Sequence, residues 1–229
     1  MPPPPAWDPV PVHADDALLV FDKPAGLLSV PGRGDDAQDC LASRVRAAFP
    51  DALVVHRLDL ATSGLVVMAR GLAAQRAIGR AFEERRVRKR YHAMVAGLPR
   101  PAGGPGDGDG PDAGAGWSLI DLPLAVDWPR RPLQTVDALR GKPSRTRWRL
   151  VSHDAGADAS RVELEPLTGR SHQLRVHLLA LGHPILGDAL YAPPPVRAAA
   201  PRLLLHAAEL GFAHPATGEF LRWSAPTPF

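Results

Sequence analysis

His56-Arg57-Leu58-Asp59-Leu60-Ala61-Thr62-Ser63-Gly64-Leu65-Val66-Val67-Met68-Ala69 sets an arginine and an acid two residues apart in front of a continuous apolar run. Residues 64–69 read as a buried strand, because a strand covered on both faces carries apolar residues without alternation. Leu53-Val54-Val55 reads as a second strand that enters the charged stretch. The segment between them is then a turn at the mouth of a sheet. Asp59 stands in that turn, with the hydroxyls and backbone N–H groups of Thr62-Ser63-Gly64 nearby. Taken alone, an Asp in a turn followed by Thr-Ser-Gly is ordinary turn chemistry.

Outward from this stretch, 17–21 reads as a strand stopped by Asp22-Lys23-Pro24-Ala25-Gly26, and 39–49 as a helix stopped by Pro50. Residues 72–86 read as a helix, and 90–96, 145–151 and 161–165 as strands. The clearest helix is 171–181, with Ser171 placed to cap it and Gly182 to end it in the left-handed conformation. Strands at 202–206, 209–213 and 219–223 complete the pattern. The stretches 99–116, rich in Gly, Pro, Asp and Ala, and 192–201, with three consecutive prolines, read as irregular. Many strands with few helices predict an α+β fold built on a large, mixed and mainly antiparallel sheet with flanking helices and loops.

The chain has 229 residues, 45% hydrophobic and 22% charged, which are globular values. Nothing approaches the ~18 apolar residues in a row that a membrane helix needs. Met1-Pro2-Pro3-Pro4-Pro5 does not read as a secretory signal. The single cysteine, Cys40, excludes an intrachain disulfide and suits a cytoplasmic location. There is no HExxH and no paired Cys, and the nine His are scattered, so no metal is expected. Without a GxGxxG or a phosphate-loop lysine, neither a dinucleotide nor ATP is expected, and the cofactor expectation is none. The net charge of +3 permits a polyanionic partner without demanding one. Its distribution says more. Arg85, Arg86, Arg88, Lys89 and Arg90 put five cations in six positions, and a second basic group holds Arg140, Lys142, Arg145, Arg147 and Arg149. Such runs are commonly solvated faces, and motifs must decide whether they meet RNA.

Two further constellations bear on that. In Pro166-Leu167-Thr168-Gly169-Arg170-Ser171-His172-Gln173-Leu174-Arg175-Val176-His177, Arg170 stands before a helix start and, being unable to lose its proton, would keep a neighbouring carboxylate ionised. A phosphate-binding or structural arginine is the competing reading. In Lys89-Arg90-Tyr91-His92-Ala93-Met94-Val95-Ala96-Gly97, Tyr91 opens a strand beside the basic run, where a tyrosine is more often a packing residue.

Taken in order, the chain from about residue 17 onward resembles the RluA family of pseudouridine synthases. The residues that carry the resemblance are Asp22-Lys23-Pro24-Ala25-Gly26-Leu27, the Asp59 stretch, the Tyr91 and Arg170 segments, Gly182-His183-Pro184-Ile185-Leu186-Gly187-Asp188 with Leu190-Tyr191, and Leu204-Leu205-His206-Ala207. The wording is closer still to a dual-specificity member, in Leu28–Arg33, Asp121–Leu124, Asp127–Pro132 and Ala200–Ala207. The resemblance implies a single catalytic domain over 17–229 without an S4 domain in front, and the Pro-rich, polar residues 1–16 read as an extended arm. The main departure from the resemblance is 99–116, whose density of Gly, Pro, Asp and Ala reads as a flexible insertion.

The resemblance further implies isomerisation of uridine to pseudouridine in structured RNA, at U32 of a tRNA anticodon stem-loop and U746 of a 23S rRNA hairpin. Asp59 matches the family's essential carboxylate, whether it attacks C1′ or C6 or acts through a glycal. Arg170 matches the arginine that pairs with it, and Tyr91 the tyrosine that stacks on the base. Arg57 matches the arginine that fills the gap left by a flipped base. Arg85, Arg86, Arg88, Lys89, Arg90, Lys142 and Arg145 are candidates for phosphate contact. His56, Leu58, Thr62 and Leu174 are weaker candidates for the substrate pocket. The expected partner is RNA, met by a monomer, with no membrane and no metal. Three alternatives stay open. They are a synthase of this type for other rRNA uridines, a non-catalytic RNA-binding or ribosome-assembly factor, and a glycosidase or nucleoside hydrolase, which would ordinarily need a second carboxyl group.

Overall fold

The computed structural model describes residues 4–100 and 116–229, so the insertion expected at 99–116 falls mostly outside the described residues. The chain divides into two compact units. One is drawn from Met1–Lys89 and His206–Pro228, the other from Arg90–Leu205 with Phe229.

The first unit holds β1 (His13–Ala14), β2 (Leu18–Lys23), α1 (Leu41–Ala48), β3 (Ala52–Val54), β4 (Ser63–Arg70), α2 (Gly71–Glu83), β11 (Leu205–Ala213, less its first residue) and β12 (Phe220–Ser224). Seven of the eight residues of β4 are buried, as its unbroken apolar run requires. β2 pairs antiparallel along one side of it, from Leu18↔Ala69 to Lys23↔Gly64. On the other side β11 pairs parallel at Ser63 and Gly64, and β3 antiparallel at Met68, Ala69 and Arg70. The approach of β11 is so close that a Cβ on Gly64 (φ 113°) would lie 2.4 Å from the Ala207 carbonyl oxygen, so only glycine fits there. Ala74, Ile78 and Ala81 line one face of α2 at helical spacing and bury it against Leu18, Val20, Leu65, Val67 and Phe212. The arm that the sequence left extended contributes β1, paired to β2 at His13↔Val20. The expected strands 202–206 and 209–213 are one strand, β11, with 202–204 outside it.

The chain crosses to the second unit within β5 (Arg88–Ala96). There β5, β10 (Ala159–Pro166), β9 (Arg145–Asp154) and β6 (Ser118–Asp121) follow one another, each antiparallel to the next. β7 (Leu124–Val126) and β8 (Gln134–Val136) form a separate two-stranded hairpin. The remaining helices are α3 (Gln173–Ala180) and α4 (Pro194–Ala198). α4 corrects the reading of 192–201 as irregular. Pro193 stands at its N-cap and Pro194 and Pro195 in the first turn, where a missing N–H costs nothing. The cap of α3 is also corrected. Its N-cap is His172 in left-handed backbone (φ 55°), without a side-chain capping bond, and not Ser171. With a parallel β4–β11 pair and antiparallel pairs elsewhere in each unit, the α+β class with a mixed, mainly antiparallel sheet is as expected.

Candidate active site

In the first unit Asp59 is half-buried on the loop 55–62 that joins β3 to β4. Several hydrogen bonds to its backbone pin that loop. Ser29 Oγ donates to the Leu58 carbonyl (2.7 Å) and accepts the Leu58 N–H (3.1 Å). The Gly26 N–H donates to the Leu60 carbonyl (2.8 Å), and the Asp59 carbonyl accepts the Thr62 N–H (3.1 Å), closing a turn under the carboxylate. Lys23 lies beneath, wholly shielded from solvent, with Nζ donating to the carbonyls of Pro24 (2.9 Å), Leu27 (2.8 Å) and Leu60 (3.4 Å).

His56, a weaker pocket candidate, is held by two contacts. Its ring stacks on Phe82 (4.6 Å between centroids), and its Nε2 accepts the Val67 N–H at 3.0 Å. Burial, then the Lys89 charge, push its pKa down to about 3, which agrees with an Nε2 that must stay unprotonated to accept that bond. Leu58 and Thr62 are buried, whereas Arg57, between them and His56, is exposed. The loop thus buries its anchors and presents Arg57 outward, with Asp59 two residues on.

Lys23 carries no role in the sequence reading, which treated it as part of a strand stop. β2 continues through it because the register with β4 extends to Lys23↔Gly64. Its three carbonyls match the three N–H bonds of an ammonium, but burial pushes its pKa from 10.5 down to about 7, against the opposing pull of Asp59 and Asp22. In the folded chain the amine therefore loses its proton near pH 7, while the unfolded chain keeps it to about 10.5. The unfolded state then binds more protons between those values, so stability is lowest below pH 7 and rises with pH above it. The unfolding free energy of the protein, read from urea titrations, should climb relative to that of Lys23→Met between pH 6 and 9, by up to about 1.4 kcal/mol per pH unit. Parallel pH profiles of the two would refute the assignment.

In the second unit Tyr91 is half-buried on β5 opposite Leu164 of β10. The two strands are antiparallel, so Tyr91 stands at the end where β10 hands the chain on to Arg170. The Arg170 loop is held by one buried amide. Gln173 Oε1 accepts the Thr168 hydroxyl (2.7 Å) and the Arg170 N–H (3.0 Å), and its Nε2 donates to the Arg145 carbonyl (2.9 Å) and to Thr146 Oγ1 (3.0 Å). Thr146 passes the chain of bonds to His177 Nδ1 (2.9 Å), whose Nε2 meets the Leu122 carbonyl (3.0 Å). Burial lowers the pKa of His177, which favours its neutral form. The Arg170 side chain is exposed, and Leu174 is buried in the first turn of α3.

The basic groups divide by exposure. Arg85, Arg86 and Arg88 are exposed, with Arg86 paired to Glu84 and Arg88 over the Phe220 ring. Lys89 is half-buried, 6.0 Å from the Phe82 ring. Arg90 is engaged by Glu163 at 2.8 Å, which also pairs with Arg149. Arg90, Arg147 and Arg149 all pack on the buried Trp117. Lys142 is exposed, and Arg145 is 3.3 Å from Asp121. Among the described residues, no group of three or more His, Cys, Asp or Glu is placed to hold a metal ion, and no helix is long and apolar enough to cross a membrane.

Residues 17–180 match the family described as RNA pseudouridylate synthase. The chain is 49% identical over 218 residues to the dual-specificity RNA pseudouridine synthase RluA of Escherichia coli (strain K12), with 95% of this chain and 93% of that one covered. It is 45% identical, at the same coverage, to the protein of that name from Pasteurella multocida. Among solved structures it is similar to human RNA pseudouridylate synthase domain containing 1, with a TM-score of 0.76 and 31% identity over 100% of this chain and 87% of that one.

Proposed function

Since the chain belongs to the RNA pseudouridylate synthase family and is an RNA pseudouridine synthase, we propose that it modifies both a tRNA anticodon stem-loop, at U32, and a 23S rRNA hairpin, at U746. The 49% identity to a dual-specificity enzyme, running through 95% of the chain, carries this reading. The reaction breaks the N1–C1′ bond of uridine, turns the uracil and joins C5 to C1′. N1 gains a proton and the C5 hydrogen leaves to water. Asp59 acts on the nucleoside as its ionised carboxylate. Arg170 favours that ionised form, and Tyr91 stacks on the uracil. The exposed Arg57 fills the gap in the RNA stack while the target base is turned out, at a cost of a few kcal/mol that is smallest in a loop. Arg85, Arg86, Arg88 and Lys142 supply exposed charge for the phosphates. The enzyme works as a cytoplasmic monomer, with 17–229 as its catalytic domain.

Two RNAs carrying tritium at uracil C5, an anticodon stem-loop and the rRNA hairpin, test this directly. Incubation with the protein should release tritium to water from both, and mapping should place one new pseudouridine in each. Release only from rRNA uridines elsewhere would replace the dual assignment with a different target set. Tight binding of both RNAs with no release from any RNA would make the chain a non-catalytic RNA-binding factor.

A further inference from the structure

The β7–β8 hairpin lies outside all three constellations of the sequence reading, and its tip is chemically unusual. A turn of 3₁₀ helix, Trp128–Arg130, projects Trp128 with 67% of its surface exposed. The Arg131 guanidinium lies over the indole, its Cζ 3.4 Å from the ring centroid. A large ring left in water at a loop tip contributes little to a core, whereas aromatic and guanidinium planes are what unpaired bases stack on.

The surrounding charge points the same way. From Asp127 to Lys142 there are four cations, Arg130, Arg131, Arg140 and Lys142, against two carboxylates, so this segment of sixteen residues carries +2 of the chain's net +3. Both carboxylates are engaged locally. Asp127 accepts Arg130 Nε (2.7 Å), and Asp137 accepts the backbone N–H groups of Leu139 and Arg140 (2.9 Å each).

The tip is also held in place. Asp127 N–H donates to the Leu133 carbonyl (2.9 Å) and Leu133 N–H to that of Arg130 (3.0 Å). Next to the tip, at the start of β8, the Tyr191 hydroxyl accepts the Gln134 N–H (2.9 Å) and lies 2.6 Å from His172 Nδ1. His172 follows Arg170 by two residues, so the hairpin is bonded, through one phenol, to the loop that carries Arg170. A rigid platform loses little entropy on binding.

We propose that Trp128 and Arg131 form a stacking platform for an unpaired nucleotide of the RNA substrate, distinct from the nucleotide that reacts. The inference rests on RNA being the substrate. It adds a binding site that discriminates RNA by the presentation of a single-stranded base, since every base has a face to stack.

The test measures anisotropy of a fluorescein-labelled anticodon stem-loop on the full chain, together with kcat and KM for tritium release. Trp128→Ala should weaken binding roughly 5- to 100-fold and raise KM, with kcat at saturating RNA unchanged, while Trp128→Phe retains most of the affinity. Arg131→Ala should weaken binding and reduce the slope of log K against log salt by about one. If Trp128→Ala binds within about twofold of the wild type, the platform is refuted and the exposed indole is left to a protein partner. Equal losses in Trp128→Ala and Trp128→Phe, with a lowered melting temperature, would make the residue structural and also refute it. A wild-type chain that binds neither the stem-loop nor the rRNA hairpin overturns the platform and the RNA reading together.

Discussion

Asp59→Asn abolishes turnover while leaving RNA binding intact: tritium release should fall on the order of 10³-fold or more. Asparagine keeps the shape of the side chain and removes its charge, which the proposed chemistry needs on the acting oxygen. The backbone anchors of the loop remain in the variant. Ser29 holds Leu58 by both backbone atoms, and Gly26 and Lys23 hold the Leu60 carbonyl. The exchange also removes a negative charge that helps Lys23 keep its proton, so the pKa of that amine should fall further. Stem-loop affinity serves as the control. Activity within tenfold of the wild type would remove Asp59 from the centre of the reaction, and a parallel loss of affinity would show that the substitution disturbs the loop.

Asp188→Ala is expected to cost about 3–5 kcal/mol of stability, read as a lowered urea midpoint. Asp188 and Arg175 form a bidentate pair (2.8 and 2.5 Å) with side chains only 1% and 4% exposed. Removing the acid takes a bidentate carboxylate away from a buried guanidinium, and breaking one half of such a pair is the costly change. Asp188 also accepts the N–H groups of Leu190 (2.9 Å) and Tyr191 (3.2 Å), and Arg175 lies over the Tyr191 ring. Arg175→Met with Asp188→Leu removes both charges and should recover part of the loss, the remainder being the Leu190 and Tyr191 N–H groups left without their carboxylate acceptor. A single variant that loses less than about 1 kcal/mol would show that water reaches the pair. Against a typical total of about 5–15 kcal/mol, the expected loss is a large fraction of the stability.

The parts of this molecule that the sequence announces are those whose signal is local. β4 shows as an unbroken apolar run, α2 as Ala74, Ile78 and Ala81 at helical spacing, and the Asp59 loop as a contiguous motif between two strands. What the sequence hides depends on partners far along the chain. Lys23 looks like a strand stop because a lysine is seldom buried. Its carbonyl partners come from residues 24, 27 and 60, and only the last makes clear that the amine belongs under Asp59. Ser29 is an unremarked hydroxyl until Leu58 arrives beside it. His172 displaced Ser171 as the cap because its Nδ1 bonds Tyr191, nineteen residues on, and this favours a backbone conformation that a β-branched or bulky residue rarely adopts. The β7–β8 segment carries part of the resemblance but does not read as a hairpin, because strands of three residues are too short to show alternation, and the two expected strands that merged into β11 are separated by no turn residue at all.

The parallel pairing of β4 with β11 has a consequence for the order in which the protein is made. The unit that carries Asp59 is discontinuous: residues 90–205, the whole of the other unit but for Phe229, are synthesised between its two parts. Until His206 and Ala207 emerge from the ribosome, one side of β4 lacks its neighbour at Ser63 and Gly64. At about 5–20 residues per second, that intervening segment imposes a delay of roughly 6–23 s. The nascent Asp59 loop must wait through that interval with a bare strand edge beside Gly64, a position without a side chain to deter mispairing.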